Sequence, residues 1–172
     1  MAAQNSSQSD WIREAINAHQ GPLMRYATRL TRDVESVRDV VQDTFLRLCK
    51  QPQEKLEGHV AEWLFTVCRN RAFEIMRKEK RMNPLSETHL ATCCSAEPTP
   101  SDALNHQDKR SEMLRLLGDL PNKQQEVIRL KFQNGLSYKE IHSITNLSIS
   151  NIGYLIHTGI QTMRRQRQGV GQ

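Results

Sequence analysis

Long apolar runs are missing from this 172-residue sequence. No stretch approaches the roughly 18 apolar residues that a membrane-spanning helix needs, so we expect no direct insertion into a membrane. Aromatic residues make up only 5% of the chain, and segments that alternate apolar residues with Thr, Val or Tyr are few. An all-β sandwich or barrel is therefore not expected.

The sequence also lacks the residue groupings that catalysis or metal binding would need. Its cysteines follow neither a disulfide framework nor zinc-finger spacing, and they are Cys49, Cys68, Cys93 and Cys94. We expect reduced thiols in a cytoplasmic protein. His89 lies near the last two, but a fourth ligand is missing, so we predict no metal site, while a redox role for these three residues stays open. No glycine-rich phosphate loop or Ser–His–Asp order indicates an enzyme or a cofactor.

Charge divides the chain into three segments. The 24 Lys and Arg residues against 19 Asp and Glu give a net charge of +5, a modest basic excess that suits a polyanionic partner. Residues 10–83 carry +3, residues 84–107 carry −3 and the remainder carries +5. The middle segment has no Lys or Arg and holds three prolines. We predict a flexible acidic linker at 84–107 between domains at 10–83 and 108–168.

Both outer segments have the pattern of α-helices. Asp10 can cap a helix that begins at Trp11, and Pro22 suits the first turn of a second helix. Asp33 opens a third helix that reaches about Lys50. Further helices are predicted from about Val60 to Arg81, Asp108 to Gly118, Pro121 to Gly135, Ser137 onward, and Ile149 to Gln166. The sequence thus predicts an all-α fold of two small helical domains.

The helix that Asp33 opens has one face of mixed character. Its core face is predicted to contain Val37, Val41, Phe45 and Leu48. A second face carries Asp39, Gln42, Asp43, Leu46 and Arg47. A leucine among charged residues is typical of a polar-rimmed protein contact, but an ordinary solvated surface gives the same pattern, and the pattern leaves both open.

The helix predicted from Val60 carries a second candidate surface. Its core stripe is Ala61, Leu64, Phe65, Cys68, Ala72, Ile75 and Met76. A different stripe contains Trp63, Val67, Asn70, Glu74, Arg77 and Arg81. Such a stripe could stack a base on Trp63 and read base edges with Asn70, while its basic end holds phosphates. Packing of Trp63 inside the protein, with a solvated basic end, is the alternative.

The last two predicted helices form a helix-turn-helix pattern. Ser137 and Glu140 make a capping box, residues 146 and 147 make a tight turn, and Ser148 caps the final helix. The buried stripe of that helix is predicted as Ile149, Ile152, Ile156, Ile160 and Met163. Its outward residues are predicted as Ser150, Asn151, Tyr154, His157 and Thr158, where a recognition helix meets base edges. Arg164 and Arg165 follow and could hold phosphates, although a helical hairpin without a ligand fits the same pattern.

These motifs resemble a known family. Residues 39–48 (DVVQDTFLRL) resemble the polymerase-binding helix of bacterial sigma factors, and residues 62–72 (EWLFTVCRNRA) resemble their promoter-melting segment. Residues 120–127 (LPNKQQEV) and 135–141 (GLSYKEI) resemble the start of their second DNA-binding domain. The order and spacing of the motifs over residues 10–167 are similar to those of the extracytoplasmic-function (ECF) subgroup.

The resemblance implies a factor that binds core RNA polymerase and directs promoter-specific transcription initiation by recognising −10 and −35 elements and nucleating DNA melting. Contacts to the clamp helices of the largest polymerase subunit are implied for Asp39, Gln42, Asp43, Leu46 and Arg47. Asn70 and the loop 54–58 would hold a base flipped from the −10 element, and Trp63 would support strand opening. Arg77 and Arg81 would hold phosphates, and Glu74 stands where the family usually has Asp.

For the second domain, the resemblance implies contact with the −35 element and the polymerase flap. The −35 residues would be Ser150, Asn151, Tyr154, His157, Thr158, Arg164 and Arg165. The stretch 150–159 departs from the family because it has no Arg or Lys. Its Gly153 and Gly159 each lower helix propensity by about 1 kcal/mol. A monomer and an anti-sigma partner are also expected.

Two other classes of protein compete with this interpretation. A free-standing helix-turn-helix regulator would bind operators without polymerase. A redox-sensing interaction protein would act through Cys93 and Cys94.

Overall fold

The computed structural model describes residues 2–31, 33–82 and 104–169. Within those ranges the chain forms seven α-helices and one short 3-10 helix, which confirms the predicted all-α class. The chain divides into two compact units, residues 1–90 and 91–172. Most of the predicted linker, including Cys93 and Cys94, lies outside the described residues.

The helix bounds agree with the sequence pattern in most places. The first unit contains α1 (Ala2–Leu30), α2 (Val34–Leu48), the 3-10 helix (Gln53–Lys55) and α3 (Val60–Met82). The second contains α4 (Leu104–Gly118), α5 (Asn122–Phe132), α6 (Tyr138–Thr145) and α7 (Ile149–Gly169). Helix α4 begins earlier than the sequence indicates, at Leu104 and within the segment predicted as linker.

The predictions that Asp10 caps a helix beginning at Trp11 and that a new helix begins at Pro22 are both wrong, since α1 begins at Ala2. Helix α1 is continuous, with Pro22 inside it. The proline has no N–H to donate to the carbonyl of Ala18, and such an interruption costs about 3 kcal/mol. Leu23, Tyr26 and Ala27 follow it and are buried. Their burial holds the later turns of α1 in the core and outweighs the local preference for a break.

The core of the first unit lies where α1, α2 and α3 each pack against the other two. The predicted core residues of α2 are buried, and Val40 and Thr44 join them. In α3, Leu64, Phe65, Cys68 and Ala72 are buried, while Ala61, Ile75 and Met76 are half-buried. The Tyr26 ring meets the Phe65 ring edge-on at 5.2 Å. Apolar periodicity therefore located this core correctly.

The core of the second unit is organised around α7, which packs on α4, α5 and α6. Ile152, Ile156 and Met163 are buried as predicted, and Ile160 is half-buried. The expectation for Ile149 is wrong, because its side chain is 46% exposed. Ile149 is the first residue of α7, where its neighbours leave much of the side chain uncovered.

At Gly159, side chains from α5 and from Leu120 just before it lie against the backbone of α7. A Cβ atom there would lie 2.7 Å from Ile128 Cδ1 and 3.3 Å from Leu120 Cδ1, with Gln124 Cβ at 3.6 Å. Gly153 differs, because a Cβ there would meet nothing within 4 Å. The low helix propensity of Gly159 is thus the cost of close packing, whereas that of Gly153 has no packing reason.

We predict opposite effects of alanine at these two glycines. Both variants gain up to about 1 kcal/mol of helix propensity. Gly159→Ala also overpacks the contact with Ile128, which costs about 1–3 kcal/mol, so its net effect is expected to be destabilising. The check is amide hydrogen exchange of α5–α7 in the full chain, with urea unfolding followed by circular dichroism. Equal changes in the free energy of unfolding of the second unit in the two variants would contradict the packing role of Gly159.

Candidate protein-docking and nucleic-acid interfaces

A polar surface on α2 is the first candidate site. The Asp33 carboxylate caps α2 by accepting the Ser36 N–H at 2.9 Å, and these contacts lower the Asp33 pKa. One side of α2 packs into the core, so the opposite side is exposed to solvent. The exposed residues there include Asp39, Gln42, Leu46 and Arg47. Leu46 is 55% exposed, whereas Leu48, the other leucine of α2, is buried. We call these four residues together with Asp43 the α2 surface.

Asp43 differs from the other residues of the α2 surface because it belongs to an ion-pair network. One of its carboxylate oxygens lies 3.0 Å from Arg47 Nε and 3.5 Å from Arg71 Nε of α3. Arg71 in turn pairs with Glu74 at 3.1 Å. The side chains of Asp43 and Arg71 are about one-third exposed, at 33% and 31%. The network therefore joins the α2 surface to α3, and its charges remain partly hydrated.

Arg71 links the two candidate surfaces, whereas the sequence pattern placed it only beside the α3 stripe. The candidate residues Asp43, Arg47 and Glu74 all pair directly or indirectly with it. The pairing crosses from α2 to α3, and helical spacing within one segment gives no signal for such a contact. Only the packing of α2 on α3 brings these groups together.

The second candidate site is the stripe on α3. Trp63 is half-buried, whereas Asn70, Glu74, Arg77 and Arg81 are exposed. Arg69 beside them lies over the Phe73 ring, with its guanidinium carbon 4.6 Å from the ring centre. From Asn70 to Arg81 the stripe extends about 16 Å along the helix axis. It thus presents an amide near its middle and cations at its far end, which suits contact with a nucleic-acid strand.

The loop 54–58 leads into α3. Leu56 is buried, while its neighbours Glu54, Lys55 and Glu57 are exposed. Gly58 has a φ of 81°, a backbone conformation that favours glycine. Asn70 lies ten residues beyond Val60, or about 15 Å along the axis from the start of α3.

The third candidate site is the helix-turn-helix of α6 and α7. The predicted capping box is present: Ser137 N–H donates to Glu140 at 2.7 Å, and Glu140 N–H donates to Ser137 Oγ at 3.3 Å. Asn146 ends α6 in the left-handed conformation, with φ 58°. The His142 ring nitrogen Nδ1 lies 2.7 Å from the Leu147 carbonyl oxygen. These contacts fix the turn that presents the start of α7.

The outward residues of α7 are not equivalent. Ser150, Asn151, Tyr154 and His157 are exposed, as predicted, and Tyr154 is 65% exposed. Thr158 is instead half-buried, because its hydroxyl accepts from the Gln124 amide of α5 at 3.1 Å and donates to the Tyr154 carbonyl at 2.9 Å. Arg164 and Arg165 are exposed. They lie about 20 Å beyond Asn151 along the helix axis.

The described cysteines give no sign of a reactive site. Cys68 is buried in α3, and burial raises the pKa of its thiol to about 12. A thiol with so high a pKa is protonated and unreactive at neutral pH. Cys49 is exposed.

Among the described residues, no three His, Cys, Asp or Glu side chains could hold a metal ion together. None of the described helices is both long and apolar enough to cross a bilayer.

Comparison with known proteins assigns both units to one family. Residues 15–82 match the model for Sigma-70 region 2, and residues 110–163 match the model for Sigma-70, region 4. The ECF RNA polymerase sigma factor SigL of Mycobacterium tuberculosis is 27% identical, over 93% of this chain and 90% of its own length. SigM of Bacillus subtilis, another ECF RNA polymerase sigma factor, is 26% identical over 89% of this chain and 93% of its own length.

A solved structure has the same fold. The sigma factor RpoE, crystallised in complex with the anti-sigma factor NepR from Bartonella quintana, superposes with a TM-score of 0.69 and 22% sequence identity. The superposition covers 92% of this chain and 97% of RpoE. A free-standing helix-turn-helix regulator would not account for the match to region 2 over residues 15–82.

The ion-pair network is expected to contribute little to stability. Because Asp43 and Arg71 are partly hydrated, we predict that Asp43→Asn lowers the free energy of unfolding by less than about 1 kcal/mol. Asp39→Asn on the same helix is the control. The measurement is urea unfolding followed by tryptophan fluorescence, with a double-mutant cycle against Arg71→Gln. A coupling energy above about 2 kcal/mol would mean that the network is structural.

Proposed function

Because this chain belongs to the sigma-70 family as an ECF sigma factor, which directs promoter-specific transcription initiation, we propose how its residues divide that work. The first unit carries the region that binds core RNA polymerase and opens the −10 element. The second carries the region that binds the −35 element. No covalent step is needed for this activity, so the protein acts as a binding factor rather than an enzyme, in the cytoplasm beside the polymerase.

The α2 surface docks on the clamp helices of the largest polymerase subunit. The observation that supports this assignment is the exposed Leu46, which lies among Asp39, Gln42 and Arg47. An apolar side chain ringed by polar groups is the composition of an interface centre with a hydrated rim. Leu46 would enter a pocket on the polymerase, and the surrounding charges would fix its orientation.

Asp43 takes part in docking while it stays within reach of Arg71. The Asp43 carboxylate already pairs with Arg47 and Arg71. A cation of the polymerase would therefore join these two partners around the same carboxylate. Arg71 acts here as a positioning residue, because it holds Asp43 on one side and Glu74 on the other. Glu74 would then border the −10 contact instead of making a free negative charge beside DNA.

The α3 stripe contacts the −10 element. The exposed amide of Asn70 would accept a flipped base, and half-buried Trp63 would support the separated strands. The loop 54–58 enters α3 about 15 Å along the axis from Asn70, so it would contact the strand beside that base. Arg77 and Arg81 would hold the backbone. Capture of a flipped base offsets a few kcal/mol of unstacking, so melting is favoured where that base fits.

The second unit contacts the −35 element through α7 while resting on the polymerase flap. Base edges would meet Ser150, Asn151, Tyr154 and His157, and Arg164 and Arg165 would contact phosphates at a distance. Thr158 would contribute less, since its hydroxyl is engaged with α5 and its own helix. Tethering two weak contacts to one polymerase raises their effective concentration, so neither needs high affinity alone. The protein would act as a monomer, restrained by an anti-sigma factor as RpoE is bound by NepR.

Leu46→Asp is predicted to abolish polymerase binding without unfolding the protein. A buried charge in an interface pocket should weaken binding by at least about 30-fold. The variant should fold, because Leu46 is not part of the core. Val34→Asp, at another exposed apolar residue of α2, is the matched control. Binding is measured by titrating an amino-terminally labelled chain with core RNA polymerase. Affinity within twofold of the unmodified chain would refute the assignment.

Asn70→Ala is predicted to impair promoter opening more than promoter binding. Loss of the amide removes contacts to the flipped base but leaves the cations of α3 in place. Permanganate reactivity of the −10 region should fall by about tenfold or more, while mobility-shift affinity of the holoenzyme should change much less. Glu79→Ala, on an exposed part of the same helix, is the control. Unchanged permanganate reactivity in Asn70→Ala would count against the base pocket.

A further inference from the structure

The start of α7 has an unusual set of exposed side chains for a helix that reads DNA. Its first three turns expose Ser150, Asn151, Tyr154 and His157, together with Ile149 at 46%. None of these is a lysine or an arginine. The first cation of α7 is Arg164, and thirteen residues of helix place it about 20 Å from Asn151. The major groove is only about 12 Å wide, so Arg164 cannot reach the base edges that Asn151 meets.

The neighbouring cations do not fill this gap. The Lys131 ammonium donates to the Leu136 carbonyl at 3.2 Å and lies 5.3 Å from the centre of the Tyr138 ring. Lys139 is exposed at the second residue of α6, the helix that crosses the DNA backbone in this motif. Lys131 is therefore engaged within the unit and Lys139 is placed for a phosphate, so neither adds a cation to the start of α7.

Asn151 is the uncharged group best prepared to read a base. Its backbone N–H donates to the Ser148 hydroxyl at 3.2 Å, which fixes the residue in the first turn. Its side-chain amide makes no hydrogen bond within the described part of the chain. An amide offers one donor and one acceptor side by side. Adenine presents the complementary pair, N7 and N6–H₂, at its major-groove edge.

The other exposed groups suit thymine, the partner of adenine, better than guanine or cytosine. Tyr154, which is 65% exposed and lies on the same side of α7 as Asn151, offers apolar surface that suits the C5-methyl group of thymine. Guanine presents two acceptors and is read best by a bidentate cation, which is missing here. Cytosine is read by carboxylates, and α7 contains none. His157 is only partly available to a base, because its ring nitrogen Nε2 lies 2.9 Å from the Gln161 amide nitrogen.

We propose that this chain reads an A·T-rich upstream promoter element, in which Asn151 bonds to an adenine and Tyr154, three residues further along the same side of α7, packs on a thymine methyl group. The inference rests on the proposed function, since it concerns the −35 contact of the same factor. The uncharged start of α7 supplies base choice, while the polymerase tether supplies most of the affinity.

The experiment is transcript sequencing from a library of promoters. Holoenzyme is assembled from core RNA polymerase and the full chain, and it transcribes barcoded templates with about 40 randomised upstream base pairs. The unmodified chain is expected to enrich an A·T-rich block near −35. Asn151→Ala should reduce the preference at one adenine by about tenfold, and Asn151→Arg should shift it towards guanine, because arginine reads guanine bidentately. Gln168→Ala, an exposed amide near the other end of α7, should leave the selection unchanged.

The outcomes separate this inference from the proposed function. Enrichment of a G·C-rich −35 block by the unmodified chain overturns the inference, and so does a selection that Asn151→Ala and Asn151→Arg leave unaltered. In either case transcription itself shows that the chain is an initiation factor. Failure to transcribe any template above the level of core polymerase alone overturns the proposed function, and the inference with it.

Discussion

Burial of one side of α2 is the constraint on which the first unit depends. The side chains of Val37, Val40, Phe45 and Leu48 can leave water only if α2 takes a single rotation between α1 and α3. At about 25 cal/mol for each Å² of apolar surface, their burial outweighs the cost of exposing one leucine. That rotation fixes Leu46 on the outside and aims Asp43 at Arg71. The α2 surface is thus a geometric consequence of the core.

The second unit has a comparable constraint in the close approach of α7 to α5. The absence of a side chain at Gly159 lets Ile128 and Leu120 lie against the helix backbone. The same approach brings the Thr158 hydroxyl within hydrogen-bonding distance of Gln124. Thr158 is therefore held against α5, while Ser150, Asn151, Tyr154 and His157 stay exposed. The close packing at Gly159 thus leaves these four of the five residues predicted to face outward accessible at the start of α7.

The sequence allowed much of the fold to be predicted, because periodicity and capping act within single segments. Asp33, Ser137 and Ser148 marked helix starts correctly, since each caps its helix with its own side chain. The errors share a different cause. Pro22 stays within α1 because tertiary packing overrides its local preference. Exposure at a helix end, as for Ile149, depends on neighbours that a linear pattern does not include.

The site was predictable only in part, for the same reason. The exposed side of α2 and the basic stripe of α3 follow from helical spacing. The link between them does not, since Arg71 reaches Asp43 only across the packed helices. Thr158 has the spacing of an outward residue, yet its hydroxyl is turned towards α5 by a contact between segments. A residue whose role depends on a contact between two helices cannot be identified from the residue spacing within one helix.

The distribution of charge suggests how the two DNA contacts share their work. Phosphate contacts by Lys and Arg supply most of the affinity of proteins for DNA and make it depend on salt. The cations of α3 lie along the stripe proposed to contact the −10 element, whereas the start of α7 has none. The proposed upstream contact would therefore be weak by itself and would become effective only when the polymerase holds it near its element. If α7 contacts its element only weakly, the free protein would bind DNA with low affinity. Promoter recognition would then be a property of the holoenzyme.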